Sequence, residues 1–292
     1  MARSVNEAFN IMRSNLEITQ LQQEAVSARQ RSVREHIQRN MTVADDFLIG
    51  SYARHTMIGP LAEADVDILV VLDPSYYHDI NGKTDPQARL LDKVRSVLCD
   101  KYTTTTVSRN GQAVTIKFSD YCVDVVPGFL TQSADYLIPD SITKRWIYTN
   151  PKKHNEAMTQ TNAKRDKSFV PLIKMIKAWN RNNGSMFSSF HLEVMGAILF
   201  ENISIAAFQS SLLTYFDQGI YRITQRCPDP AGFDDNLGTY LSIGDKMQKA
   251  PRLFEKASNH ARNAIAHERS GRPDLAIDEW KQVFGTCFPS YG

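Results

Sequence analysis

A run of aliphatic residues that opens with two carboxylates constrains the fold more than any other segment. Residues 66–72 (VDILVVL) are mostly β-branched or aliphatic, which is typical of a strand in the interior of a sheet. Asp65 and Asp67 stand at its start at alternate positions, so their side chains point to the same face of the strand. Acidic pairs at strand ends are usually solvated or capping, so this pair alone is weak evidence for a catalytic site.

The segments around this strand predict an α+β fold. Short strand-like runs, a helix over 86–102 and a hairpin at Asn110-Gly111 occupy residues 41–150. Another strand is expected over 121–126, ending at Pro127. Residues 151–292 read as a helical lobe, with helices expected at 169–182, 189–200, 206–216, 246–268 and 274–284.

Residues 1–40 are expected to form one long helix that braces both lobes. Apolar residues recur at roughly helical spacing over 5–38, without Gly or Pro. Its other face carries Arg29, Arg31, Arg34 and Arg39, for which a solvated surface is the default interpretation.

Composition excludes several classes of protein. The 292 residues are 42% hydrophobic and 23% charged, as in soluble globular proteins, and no apolar run could span a bilayer. The first residues lack the apolar stretch of a signal peptide, so a cytoplasmic protein without membrane attachment is expected. A net charge of +2 argues against general DNA binding. The four cysteines are far apart and are expected to be buried thiols.

A third carboxylate, Asp124, lies inside another strand-like run, Val123-Asp124-Val125-Val126. If the two strands are neighbours, Asp65, Asp67 and Asp124 meet at one place. Three carboxylates without His or Cys suit Mg²⁺ or Mn²⁺. Two such ions can activate an attacking hydroxyl and stabilise a leaving pyrophosphate.

Gly50-Ser51, upstream of the acidic pair, predicts a tight turn that opens a short helix. Backbone N–H groups and a hydroxyl in such a turn can hold phosphate oxygens. The combination of this turn with the three aspartates is far more specific than the acidic pair alone.

With these residues in view, the sequence resembles the polymerase-β-like nucleotidyltransferases. GSYARHTMIGPLAEADVDILVVLD followed by VDVVPGF looks most like the cGAS/DncV-like nucleotidyltransferases (CD-NTases) of bacterial CBASS anti-phage systems. NPKKHNEAMTQTN, VPLIKMIKAWN, SSFHLEVMG and FGTCFP extend the resemblance through the helical lobe. It implies a bilobal polymerase-β-like core followed by that lobe.

The resemblance implies roles for individual residues. Asp65, Asp67 and Asp124 match the metal-binding triad, which holds two Mg²⁺ ions that Mn²⁺ can replace. Gly50 and Ser51 match the phosphate-holding turn. In the helical lobe, Lys177 and Ser189 match residues that contact the triphosphate, and Lys174 could assist.

Bland alternatives accompany the assignments in the helical lobe. Without the resemblance, the two lysines would be solvated surface residues, and Ser189 would be a helix N-cap. Asn162 is a candidate for reading the base, although a helix-surface or capping role is the stronger alternative. His191 is expected to be a hydrogen-bonded packing residue.

The resemblance implies a template-independent synthase that joins NTPs into a cyclic di- or trinucleotide messenger for anti-phage signalling. ATP is the expected substrate, with GTP or UTP as further candidates, and the product would act on a downstream effector. No zinc-binding insertion is present, so activation by double-stranded DNA is not expected. Transfer to an RNA 3′ end, a protein or an aminoglycoside remains an alternative, as does an inactive nucleotide-binding module.

Overall fold

The computed structural model describes all 292 residues. The chain divides into two compact units. The sheet unit comprises Ile18–Asn155, and the helical unit combines Met1–Glu17 with Glu156–Gly292. The helical unit therefore draws on both ends of the chain, whereas the predicted division assigned residues 1–40 to a single helix.

The sheet unit contains every element from α2 to β7, and α1 belongs to the helical unit. In chain order the elements up to residue 149 are α1 (Val5–Leu16), α2 (Gln20–Asn40), β1 (Val43–Ile49), α3 (Gly50–Ala53), β2 (Asp65–Leu72), α4 (Pro74–Ile80), α5 (Pro86–Lys101), β3 (Thr106–Asn110), β4 (Ala113–Lys117), β5 (Cys122–Leu130), β6 (Tyr136–Asp140) and β7 (Arg145–Thr149). The main path of the sheet is β1-β2-β5-β4-β3, and β6 pairs with β5 and β7. The mixed α+β fold is confirmed.

Strand β2 is the interior strand that its composition predicts, because it pairs with β1 on one side and runs parallel to β5 on the other. Val66, Ile68, Val70 and Leu72 enter the larger core, together with α2 and α5. The alternate face carries Leu69 and Val71 into a smaller core. The continuous apolar run is thus explained by burial on both faces.

The prediction that strand β5 ends at Pro127 is wrong. The strand runs from Cys122 to Leu130, and Pro127 pairs in register with Val70 of β2. On the other edge, the pairing with β4 stops at Val125 and the pairing with β6 starts at Phe129. Pro127 falls in this gap, where its missing N–H interrupts neither of these two ladders.

The single N-terminal helix is also wrong, because two helices replace it. Thr19 begins α2 with a capping box, in which its side chain accepts from Gln22 N and Gln22 accepts from the Thr19 N–H. The side chain of Ser4 caps α1 in a simpler way, by accepting from Glu7 N. The capping box satisfies backbone donors that a continuous helix would have bonded internally.

The sequence predicts that the four arginines of α2 are solvated, but two of them, Arg29 and Arg34, are partly buried. Arg29 lies over the rings of Phe118 and Tyr121, 4.4 and 4.7 Å from their centroids, and pairs with Asp120. Arg34 pairs with Asp46, whose side chain is 4% exposed. These arginines therefore pack α2 against the rest of the sheet unit.

The first helix after β7 is α6 (Pro151–Ala163), which contains the boundary between the two units. The others are α7 (Phe169–Asn182), α8 (Ser189–Leu199), α9 (Phe208–Arg222), α10 (Lys246–Arg269) and α11 (Pro273–Phe284). The five predicted helices are therefore confirmed, with α9 longer than expected. None of the helices combines the length and apolar character that crossing a membrane requires. All four cysteines are free thiols, but only Cys227 is buried, so the expectation of burial is wrong for the three others, which are partly exposed.

Candidate active site

The register of the parallel pair β2–β5 brings the three aspartates to one face of the sheet. Asp67 lies directly opposite Asp124, and Asp65 lies opposite Cys122. Residues paired across neighbouring strands share a face, as do alternate residues along one strand. The neighbours Val66 and Ile68 point to the opposite face, into the larger core.

The electrostatics of the site also place Asp65 close to Asp124. Burial, followed by the negative charge of Asp124, raises the pKa of Asp65 above its ordinary value. The same causes, with both carboxylates contributing after burial, raise the pKa of the Cys122 thiol. The face is therefore a patch of clustered negative charge.

Gly50 closes this patch from the side of β1. It opens α3 with φ +68°, a conformation that favours glycine. A Cβ built on Gly50 would lie 2.7 Å from Cγ of Asp67 and would collide with that carboxylate. The backbone of the predicted phosphate-holding turn thus packs directly on one of the aspartates, and the carbonyl of Ser51 accepts from the N–H groups of Thr56 and Met57.

The donor set fits a hard divalent cation. The side-chain oxygen Oδ1 of Asp124 is buried and has no hydrogen-bond partner, which is costly unless a cation or donor compensates it. However, the structure contains no group of three or more His, Cys, Asp or Glu side chains that is arranged to hold a metal ion. The three aspartates share a face of the sheet, and the metal site stays a prediction.

The two candidate lysines belong to the helical unit, on one side of α7. Lys177 Nζ lies 2.6 Å from Glu193 Oε1, and Lys174 Nζ lies 2.6 Å from Glu17 Oε2. The side chains of the lysines are 5% and 10% exposed, respectively. The alternative that they are solvated surface residues is therefore wrong.

Ser189 is the first residue of α8 and is exposed. The N-cap is its neighbour Ser188, which makes no side-chain capping bond, so the capping alternative for Ser189 is wrong by one residue. The Ser188 N–H donates to the hydroxyl of Tyr240 over 3.0 Å, which fixes the start of the helix. Ser189 is left with its hydroxyl at an accessible helix N-terminus.

His191 is fully buried one turn into α8. Its Nδ1 lies 3.1 Å from the Tyr240 hydroxyl, and burial lowers the pKa of His191 to about 4. The ring is therefore neutral near pH 7 and acts in packing, as the sequence predicts. Tyr240 joins it to the Ser188 backbone and so supports the same turn.

Asn162 has the capping role that the sequence left as the stronger alternative. Its Oδ1 accepts from the Val170 N–H over 3.0 Å, which satisfies a donor in the first turn of α7. That oxygen is engaged by the helix, and base reading by Asn162 stays a prediction.

A cavity of about 320 Å³ lies elsewhere in the helical unit, where α6 and α8 meet residues 228–230. Its walls include Met158, Val194 and Ile198, and none of the predicted triphosphate ligands lines it. The cavity is therefore separate from the candidate lysines and serine.

Two residues that sequence reasoning missed hold α7 and α8 together. Asn180 of α7 exchanges two hydrogen bonds with the backbone of Phe187, at 2.8 and 3.1 Å, just before α8. Glu193 pairs with Lys177 across the two helices. A signal existed for Glu193, because it is the one acidic residue in the otherwise apolar run FHLEVMGAIL and so requires a buried cation.

Comparison with known proteins agrees with the fold and with the residue pattern. Residues 3–162 match the model of the Second Messenger Oligonucleotide or Dinucleotide Synthetase domain. A cyclic AMP-AMP-AMP synthase from an Acinetobacter species is 33% identical over 260 residues, covering 83% of this chain and 72% of the relative. A probable cyclic nucleotide synthase from Bacillus cereus is 29% identical over 275 residues, covering 83% and 81%. Among solved structures, Escherichia coli CdnC with ATP superposes with a TM-score of 0.78 at 16% identity, covering 98% of this chain and 99% of that one.

Proposed function

The chain belongs to the Second Messenger Oligonucleotide or Dinucleotide Synthetase family and is a nucleotidyltransferase of the cyclic nucleotide synthase kind, and we propose that it uses ATP and requires Mg²⁺. The observation that carries the metal proposal is the β2–β5 register, which sets Asp65, Asp67 and Asp124 on one face beside Gly50. ATP as substrate is supported by the Acinetobacter relative, whose name specifies an AMP trimer.

In the proposed reaction, a ribose hydroxyl of one nucleotide attacks the α-phosphate of another NTP. A new P–O bond forms between the hydroxyl oxygen and the α-phosphorus. The bond from the α-phosphorus to the oxygen that bridges to the β-phosphate breaks, and pyrophosphate leaves. A final attack within the linear di- or trinucleotide on its own 5′ triphosphate closes the ring and releases one more pyrophosphate. Divalent ions, when bound, supply charge neutralisation and lower the pKa of the attacking hydroxyl.

The side chains of this chain have separable tasks in that scheme. Asp65, Asp67 and Asp124 hold the ions, and the Gly50-Ser51 turn offers N–H groups to phosphate oxygens. Lys177, assisted by Lys174, neutralises part of the triphosphate charge, and the Ser189 hydroxyl donates to it. The roles of Lys177, Lys174 and Ser189 are supported by the resemblance of their motifs to the family, and those of the aspartates also by their shared face.

A cyclic product is favoured over transfer to another acceptor. Both curated relatives are named as cyclic nucleotide synthases, one of them by its product. An RNA 3′ end, a protein or an aminoglycoside as acceptor has no comparable support. We further propose that the product, made in the cytoplasm, activates an effector in anti-phage defence, with GTP or UTP as further candidate substrates and without activation by double-stranded DNA.

The test is incubation of the purified protein with labelled NTPs and Mg²⁺ or Mn²⁺, followed by phosphatase treatment and mass spectrometry. A phosphatase-resistant cyclic adenylate is expected with ATP. The Asp65→Ala, Asp67→Ala double variant is the matched control and should make none. Absence of any resistant product across all NTP mixtures and pH values would contradict the proposal, as would full activity of the double variant.

A further inference from the structure

We propose that Glu193 is a positioning residue for nucleotide binding, whose buried carboxylate holds the Lys177 ammonium in the orientation that receives the triphosphate. The inference rests on the proposed function, because it depends on Lys177 as a triphosphate ligand. Glu193 would add to that function the group that orients the lysine inside the helical unit.

The burial of the pair is the first support. The side chain of Glu193 is fully buried, and that of Lys177 is 5% exposed, with 2.6 Å between Oε1 and Nζ. An ammonium at such a depth is costly to desolvate unless a counter-charge accompanies it. Glu193 supplies such a counter-charge to Lys177 at hydrogen-bond distance.

The packing of α7 against α8 is the second support, because it sets the distance between the two groups. A Cβ built on Gly196 would lie 2.7 Å from Ile173 Cδ1, so the helices approach closely at this glycine. Gly196 is one turn after Glu193 on α8, and Ile173 is one turn before Lys177 on α7. The close approach thus lies one turn from each member of the ion pair.

The neighbouring pair shows by contrast what Glu193 adds. Lys174 is paired with Glu17 at the same 2.6 Å distance, but the carboxylate of Glu17 is 47% exposed. Water screens the charge of a half-exposed carboxylate, so Glu17 holds Lys174 more loosely than a buried carboxylate would. Of the two lysines, only Lys177 is oriented by a carboxylate that solvent does not reach.

The chemistry of the ammonium allows the pair and the substrate to coexist. An ammonium has three N–H donors, so a bond to one carboxylate oxygen does not exhaust its capacity for phosphate oxygens. Glu193 itself is fully buried and need not contact the nucleotide. Its effect on binding is therefore expected to act through Lys177.

The experiment is a double-mutant cycle on the full chain with Glu193→Gln, Lys177→Met and the combination of both. The Kd of a non-hydrolysable ATP analogue in Mg²⁺ is measured by calorimetry, with KM and kcat for ATP alongside. Glu193→Gln keeps the shape of the side chain and is expected to raise Kd and KM roughly tenfold, with kcat changed far less. In the Lys177→Met background, Glu193→Gln should add less than about twofold, because its partner is already gone.

A matched control separates binding from folding. Glu279→Gln removes a charge from another pair of the helical unit, Glu279 with His260, whose side chains are 22% and 26% exposed. It should leave Kd unchanged whatever it does to Tm. Each variant is compared by its melting curve, so that only folded protein enters the cycle. If Glu193→Gln does not fold, Glu193→Asp, which shortens the side chain and withdraws the carboxylate from Lys177, is expected to raise Kd in its place.

The outcomes distinguish the inference from the function on which it rests. A wild type that makes product while folded Glu193→Gln binds the analogue within twofold overturns the inference alone. Additive losses in the cycle overturn it too, because Glu193 would then act independently of Lys177. A wild type that binds the analogue through Lys177 without making product contradicts the proposed function and leaves the inference standing. A wild type that does not bind the analogue overturns both.

Discussion

At Gly50 the absence of a side chain decides where the Asp67 carboxylate can lie. The residue combines a left-handed backbone with direct contact to that carboxylate. Gly82 has a similar φ of +82°, but a methyl group added there would meet nothing within 4 Å. The pair of glycines therefore separates backbone strain from displacement of a functional group.

Replacing each glycine by alanine should give different results. Both Gly50→Ala and Gly82→Ala are expected to cost about 1 kcal/mol of unfolding free energy from the left-handed backbone. Only Gly50→Ala should also reduce product formation, by roughly tenfold or more, because its methyl group displaces Asp67. Urea unfolding and the product assay measure the two effects, and equal activity in both variants would contradict the placement of Asp67.

The charge patch predicts how Asp65 affects stability. Burial and the Asp124 charge raise the pKa of Asp65, so the native state binds its proton more tightly than the unfolded state does. Stability then falls as pH rises from the ordinary carboxyl value, about 4, through the raised pKa. Asp65→Asn should therefore raise the Tm in EDTA at neutral pH, with a gain that shrinks toward pH 4, and should weaken stabilisation by Mg²⁺. A lower Tm in EDTA with undiminished stabilisation by Mg²⁺ would contradict this prediction.

His191 predicts a pH effect of the opposite sign. Its pKa is lowered by burial to about 4, below its unfolded value. The stability that follows from keeping it neutral is fully present above the unfolded pKa, about 6.5, and is lost as pH falls toward 4. The loss should be on the order of 1–3 kcal/mol. Urea unfolding at several pH values between 4 and 6.5 gives the unfolding free energy as a function of pH. Its slope against pH should be shallower for His191→Gln than for wild type, and identical slopes would contradict the assignment of His191 as a buried neutral ring.

Among the elements, α2 depends on the capping box at its start. Thr19→Ala removes the side-chain acceptor for Gln22 N and should cost about 1 kcal/mol of unfolding free energy. Ser4→Ala is the matched control at the start of α1, where a simpler cap is lost. Chemical denaturation should show that Thr19→Ala loses at least as much unfolding free energy as Ser4→Ala. An unchanged unfolding free energy in Thr19→Ala would argue that α1 and α2 behave as one helix.

Elements with strong local signals were predictable from the sequence, and those set by distant partners were not. The run of β2, the Asn110-Gly111 turn and the amphipathic α7 each carry their own pattern, and all three are confirmed. The extension of β5 through Pro127 depends on where β4 ends and β6 begins. The burial of Arg29 against Phe118 and Tyr121 likewise depends on tertiary contacts that periodicity does not encode.

The candidate site shows the same distinction. The alternation of Asp65 and Asp67 predicts a shared face, and the pairing of Asp67 with Asp124 confirms that β2 and β5 are neighbours. The sequence alone does not indicate a partner for Lys177. Its pairing with Glu193 arises only when α7 packs on α8, because the two residues lie on different helices.

At the level of the whole molecule, no covalent cross-link holds the chain together. All four cysteines are free, and burial raises the pKa of the Cys227 thiol to about 11, which makes it a poor nucleophile at neutral pH. Thermal unfolding with and without dithiothreitol should therefore give the same Tm. A Tm lowered by the reductant would reveal a disulfide and contradict the thiol assignment.

The helical unit is discontinuous in sequence, since Met1–Glu17 joins Glu156–Gly292. During translation the sheet unit emerges as one uninterrupted stretch and can fold on the ribosome. Helix α1, although synthesised before the sheet unit, must wait until α11 is made, because Phe9 packs against Trp280 with 5.0 Å between ring centroids. Its apolar side stays uncovered until then, so α1 offers chaperones a binding segment on the nascent chain.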